Sequence, residues 1–113
     1  MPQPNSHAIG LVERAASGDD IVVVVATHHA IRNVLDALVV AARQANLGIT
    51  RAEYANGRER LRFASGAEVT LTTHAQADRH LMGRRPHLVH AEGGIAYGTL
   101  VRLQAAGVEV RLS

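Results

Sequence analysis

The chain has 113 residues, 47% of them apolar, which is enough for one hydrophobic core and too little for two. Its twelve basic residues are all arginine and are set against ten acidic ones, for a formal net charge of +2. There is no cysteine, which excludes disulfides and thiolate metal centres, and no apolar run approaches the ~20 residues a membrane-spanning helix needs.

The opening Met1-Pro2-Gln3-Pro4-Asn5 has neither the basic start nor the apolar block of a secretory leader, so a cytoplasmic location is expected. Arginine without lysine suits planar, bidentate contacts with phosphate or carboxylate, and it is also what a GC-rich genome produces.

Taken in order, residues 5–17 predict a short helix. Asn5 or Ser6 is its cap, Ile9, Val12 and Ala16 recur at helical spacing, and Gly18 is its stop. Asp19-Asp20 turn the chain into a β-branched run, residues 21–26, with no polar alternation. That pattern belongs to a strand buried on both faces. Thr27 is placed to cap a long helix over 28–45, with Ile31, Val34, Leu35, Leu38 and Ala42 as its apolar stripe and Gly48 marking its end.

Beyond Gly48 the period drops to two, and residues 49–54, 59–64 and 67–73 read as three strands. Asn56-Gly57 and Ser65-Gly66 are the turns between them. In the middle strand Leu61 and Phe63 point one way while Arg58, Arg60 and Arg62 point the other. Residues 74–82 are weakly patterned and read as a loop with at most one helical turn. A loop turning at Pro86 then leads to a short apolar strand, Leu88-Val89-His90-Ala91, ending in Glu92 and a Gly93-Gly94 turn. Residues 95–106 predict a helix with Tyr97, Leu100, Val101 and Gln104 on one side and Gly107 as its stop. An alternating edge strand over 108–112 closes the chain.

The expected architecture is a single domain, 1–113. It is a three-layer α/β/α sandwich whose mixed, mainly parallel sheet contains the strands near 21–26, 88–91 and 108–112, with the meander as an antiparallel insertion.

The run Gly83-Arg84-Arg85-Pro86 into the strand ending at Glu92 resembles the Walker B segment of RecA-like P-loop ATPases. It is similar in particular to the version in helicases and phage terminase large subunits. Residues 22–27 with the following helix resemble that family's second core strand, and the 58–73 hairpin resembles the paired strands that precede Walker B. The resemblance implies a RecA-like sheet and makes Glu92 the residue that activates water.

Two features of the family are missing. Ala91 stands where the magnesium-associated Asp belongs. No Gly-x-x-x-x-Gly-Lys loop occurs, and a chain without lysine cannot supply one. Magnesium and triphosphate both lose their seats, so ATP hydrolysis by this chain alone is not expected.

Three sets of residues carry candidate chemistry. Glu92 is a general base or, structurally, a helix cap or the partner of Arg84 or Arg85. His28, His29 and His90, from a wider set that adds His74, His80 and His87, are candidate ligands with Glu92 of a hydrolytic metal site or, alternatively, solvent-facing or hydrogen-bonded histidines at strand ends. The odd offset between His87 and His90 keeps that pair from sharing one face, and no His-Glu-x-x-His occurs.

Arg58, Arg60, Arg62, Arg84 and Arg85 are candidate contacts to nucleic-acid phosphates or, alternatively, a solvated strand face that discourages aggregation. Three aromatic residues give little support for base stacking. No Gly-x-Ser-x-Gly supports nucleophilic catalysis.

The combined expectation is a phage-related, RecA-like pseudo-ATPase that works by binding. Its partner would be further copies of the chain, an ATPase-like protein or DNA, without a membrane and with no cofactor. The alternatives are an arginine-rich nucleic-acid-binding module and a His/Glu metal-dependent hydrolase or nuclease.

Overall fold

A computed structural model describes residues 6–55 and 57–113; Asn5, expected to cap the first helix, and Asn56 of the expected Asn-Gly turn lie outside the described residues. The centre of the structure is the valine run. Strand β1 (Ile21–Val25) is buried at every position. Ile21, Val23 and Val25 point into one layer, and Val22 and Val24 into the other. A residue exposed to neither solvent nor a polar partner gains from burial on both sides of the sheet. Each fully buried valine contributes about 1.5–3 kcal/mol.

Helices α1 (Ser6–Ala16) and α2 (His28–Gln44) form the first layer. Helix α1 buries Ala8, Leu11, Val12 and Ala15, whereas Ile9, expected on its inner face, is exposed. Helix α2 buries Ile31, Leu35, Leu38, Val39, Ala41 and Ala42. It ends before the predicted Gly48. Asn46 adopts a left-handed φ of 55°, Asn46 N–H donates to the Arg43 carbonyl, and Leu47 N–H reaches back to the Ala42 carbonyl at 2.9 Å. This is a Schellman stop built on asparagine in place of the usual glycine.

Strands β2 (Ile49–Glu53), β3 (Arg60–Phe63) and β4 (Glu68–Thr73) follow as an antiparallel meander. Residues 74–82, expected as a loop with at most one helical turn, fold into a 3-10 turn (His74–Gln76) and the short helix α3 (Ala77–Leu81). Ala77 and Leu81, one helical turn apart, pack against Val22, Val24, Val89 and Ala91. Strand β5 (Leu88–Ala91), helix α4 (Tyr97–Ala105) and strand β6 (Glu109–Leu112) complete the chain. Helix α4 turns Thr99 and Leu103 inward and leaves Tyr97 and Val101 exposed, the reverse of a stripe centred on Tyr97.

The sheet order is β2-β3-β4-β1-β5-β6. Strand β1 is parallel to both β4 and β5, and β6 is parallel to β5, so the meander is attached through β4. Helices α3 and α4 form the second layer. Among the described residues no helix is long and apolar enough to cross a membrane.

Candidate functional site

Strand β1 is followed by α2 in one layer, whereas its neighbour β5 is followed by α4 in the other. Adjacent strands whose connections leave in opposite directions open a crevice at their carboxyl ends, where open α/β sheets bind ligands. Glu92 lies on the rim of this crevice.

Its main chain is held from three sides. Glu92 N–H donates to the Val24 carbonyl at 2.8 Å, and Gly93 N–H donates to the Ser113 carbonyl at 2.9 Å. His74 Nε2–H donates to the Glu92 carbonyl at 2.7 Å. Because a carbonyl only accepts, this bond fixes the His74 tautomer. Gly93 sits at φ 80°, and a Cβ there would lie 3.7 Å from His74 Nε2. A side chain at 93 would thus be strained by its backbone more than by the imidazole.

The Glu92 side chain turns toward the α1 and α2 layer. There it lines a pocket of about 270 Å³ with His7, Asn33, Val34, His90 and Ser113. The alternation of the strand explains this: Leu88, His90 and Glu92 share one face, and Ala91 faces the other, fully buried beneath α3 and α4.

His90 is 4% exposed. Its Nε2 lies 3.4 Å from Ser113 Oγ. Burial pushes its pKa below the ordinary histidine value; the Glu92 carboxylate opposes this shift, while His7 and Arg111 add to it. Neither His7, Asn33 nor Ser113 was marked by any sequence pattern, since all three arrive from distant parts of the chain.

The end of β1 is closed by its own chemistry. Thr27 is extended, at φ −138° and ψ 160°, and its Oγ1 accepts from Ala30 N–H at 3.1 Å. The hydroxyl is therefore spent on capping α2, as its position predicts. His28 and His29 are exposed on the first turn of α2, whereas His90 is buried. Among the described residues no group of three or more His, Asp, Glu or Cys is arranged to hold a metal ion.

Two further histidines serve other parts of the sheet. His87 Nδ1 accepts from Asp20 N–H at 2.9 Å at the amino end of the sheet. His80 Nε2 lies 3.3 Å from Thr70 Oγ1 and 3.4 Å from Arg84 Nη1. A guanidinium can only donate, so His80 Nε2 is the acceptor and its ring is neutral, in keeping with a pKa lowered first by burial and then by Arg84.

Among the described residues Glu92 makes no ion pair with an arginine, and it does not cap α4. The N-cap of α4 is Ala96, with no side-chain bond. Arg84 and Arg85 precede β5 while Glu92 follows it, so about 13 Å of strand keeps them apart.

The arginine stripe is neutralised from within the sheet. Arg60 Nε lies 2.8 Å from Glu53 and Arg60 Nη1 3.3 Å from Glu68; Arg62 Nη2 is 2.9 Å from Glu68. Register is the cause: Glu53 stands opposite Arg60, and Arg62 opposite Glu68. No sequence motif marks Glu53 and Glu68 as the partners of these arginines. The three-residue Ala64-Ser65-Gly66 loop, closed by Phe63 N–H to the Ala67 carbonyl at 3.0 Å, is the signal that places Glu68. Arg84 and Arg85 line a second pocket of about 270 Å³ at the amino end, with Asp20, Glu68 and Thr70. Arg58 is exposed and makes no ion pair among the described residues.

Fold and edge together define the class: a three-layer α/β sandwich with a topological switch point, whose central strand runs straight into a threonine-capped helix without a phosphate loop. Comparison with known protein families, with curated proteins and with solved structures returns no match for this chain.

Proposed function

We propose that the chain is a non-catalytic α/β domain of RecA-like ATPase type that acts by binding a protein partner. One observation carries this reading: Ala91, at the end of the strand that resembles Walker B, is fully buried and has no carboxylate, which removes the support for magnesium. No Gly-x-x-x-x-Gly-Lys run occurs in the chain to seat phosphates. Thr27, at the end of the central strand, spends its hydroxyl on the Ala30 N–H, so the start of α2 is also taken up by its own side chain.

A protein partner is favoured over DNA because the centre of the arginine stripe is occupied: Glu53 and Glu68 hold Arg60 and Arg62, which leaves Arg58, Arg84 and Arg85 outside those ion pairs. Counterion release, the main source of non-specific affinity for DNA, needs cations that are free to meet phosphates.

Calorimetric titration with ATP and magnesium, paired with a phosphate-release assay, tests the reading. No binding heat and no turnover are expected. Magnesium-dependent hydrolysis that Glu92→Gln abolishes would overturn it, and tight, salt-sensitive binding of a DNA duplex would move the assignment to nucleic acid.

A further inference from the structure

The two edges of the sheet differ. Strand β2 carries a register shift between Ile49 and Arg51. A bulge of this kind is a recognised guard against edge-to-edge pairing. Strand β6 pairs with β5 without interruption from Glu109 to Leu112. Among the described residues no strand pairs with its other side.

The direction of the free groups follows from the bonds that are made. Glu109 N–H donates to the His87 carbonyl and Ser113 N–H to the Ala91 carbonyl, both toward β5. Alternation along the strand then turns the N–H and C=O of Val110 and Leu112 outward. Leu112 is 55% exposed.

We infer that this edge binds the same edge of a second copy of the chain. The two β6 strands run antiparallel about a twofold axis through Val110, making one continuous sheet across the pair. The inference rests on the binding-domain reading and names its partner.

Charge placement selects this occupant. A twofold at Val110 sets Glu109 opposite Arg111 of the second copy, and Arg111 opposite its Glu109. Both side chains are partly exposed, at 45% and 59%, and within one chain they lie 2.7 Å apart on the same face. Glu109 also holds Arg14 Nη1 at 3.1 Å through its other oxygen, so it can share Arg111 of the second copy while keeping Arg14, and no new charge is buried. The geometry of antiparallel ladders fits the pattern. Val110, with its groups outward, meets its twofold mate as a hydrogen-bonded pair. Glu109 and Arg111 then fall in the non-bonded pairs, where side chains come closest. The interface is isologous and closes on itself, so it gives a dimer and not a fibre.

Sedimentation equilibrium of the full chain over a concentration series tests the inference. A concentration-dependent dimer is expected. Glu109→Arg and Arg111→Glu each set like charges against one another and raise the dissociation constant by about tenfold; Arg111→Glu is the cleaner of the two, because Glu109→Arg also breaks the ion pair with Arg14. The double reversal Glu109→Arg/Arg111→Glu restores it. Amide exchange provides the second measurement, with Val110 and Leu112 N–H becoming protected as concentration rises.

A monomer at every concentration up to the solubility limit overturns the inference, as does a dimer indifferent to both single reversals. Thermal unfolding of each variant separates a lost interface from a lost fold. A dimer that hydrolyses ATP would leave this interface standing and remove the functional reading. A monomer that ignores nucleotide would do the reverse.

Discussion

The ring of His90 lies 5.5 Å from that of His7, centroid to centroid, with the two planes tilted by 48°. One imidazole belongs to a central strand and the other to the first turn of α1, so their contact is part of how that helix sits on the sheet. Arg111, Glu92 and Ser113 complete the surroundings of His90.

The burial of His90, and of His80 elsewhere, makes stability depend on pH. His90 and His80 both hold a proton less tightly in the folded chain than in the unfolded one, chiefly because burial disfavours the imidazolium. An unfolded histidine titrates near ~6.5. Below that pH the unfolded chain takes up protons the folded chain refuses, so stability falls as pH drops from about 6.5, and these two groups have no effect well above it. The midpoint of thermal unfolding measured between about pH 7.5 and 5 should decline, and His90→Gln should flatten the decline. An unchanged slope in that variant would show that His90 is not responsible.

Asn46 ends α2 in a conformation that favours glycine. Asn46→Gly is expected to raise stability by about 0.5 kcal/mol, and Asn46→Val to lower it by about 1–2 kcal/mol, because a β-branched side chain crowds the left-handed backbone. Urea denaturation of the two variants should move the midpoint in opposite directions.

The Thr27 cap can be measured in the same way. Thr27→Ala removes the acceptor for Ala30 N–H and should cost about 1 kcal/mol, while Thr27→Ser retains most of it. Equal stabilities for the two variants would mean that the hydroxyl is not holding the helix start.

If Glu53 and Glu68 neutralise the arginine face, removing their charge should release it. The Glu53→Gln/Glu68→Gln double variant is expected to elute from a heparin column at clearly higher salt than the unaltered chain. Arg60→Ala in that background should reverse the change. Identical elution of the double variant and the parent would mean that the ion pairs do not control access to phosphate.

Local pattern made much of this molecule legible. The valine run, the Thr27 cap, the two strands flanking Ser65-Gly66 and the opposed Leu61/Arg62 faces all follow from residues within one turn or one pleat of each other. Helix α3 escaped because five residues with a single inward pair, Ala77 and Leu81, carry too little periodicity to stand out from a loop. Helix α4 offered two equivalent stripes. Tyr97 with Val101 is as regular as Thr99 with Leu103; Leu103 is the one that packs with Leu81, Val89 and Ala91, and Asp78 of α3 accepts hydrogen bonds from Thr99 Oγ1 and from Arg102 Nη2 at 2.9 Å.

The amino-acid sequence on its own determined that there would be a doubly buried strand, a capped helix and an antiparallel meander, and that no phosphate loop exists. Only the tertiary structure decided that Arg60 and Arg62 face Glu53 and Glu68, that Glu92 shares its pocket with His7 and Ser113, and that β6 stands open at the edge. The reason is physical. Periodicity records which way a side chain points from its own backbone, whereas its partner is set by strand order and register, which join residues as far apart as His7 and His90.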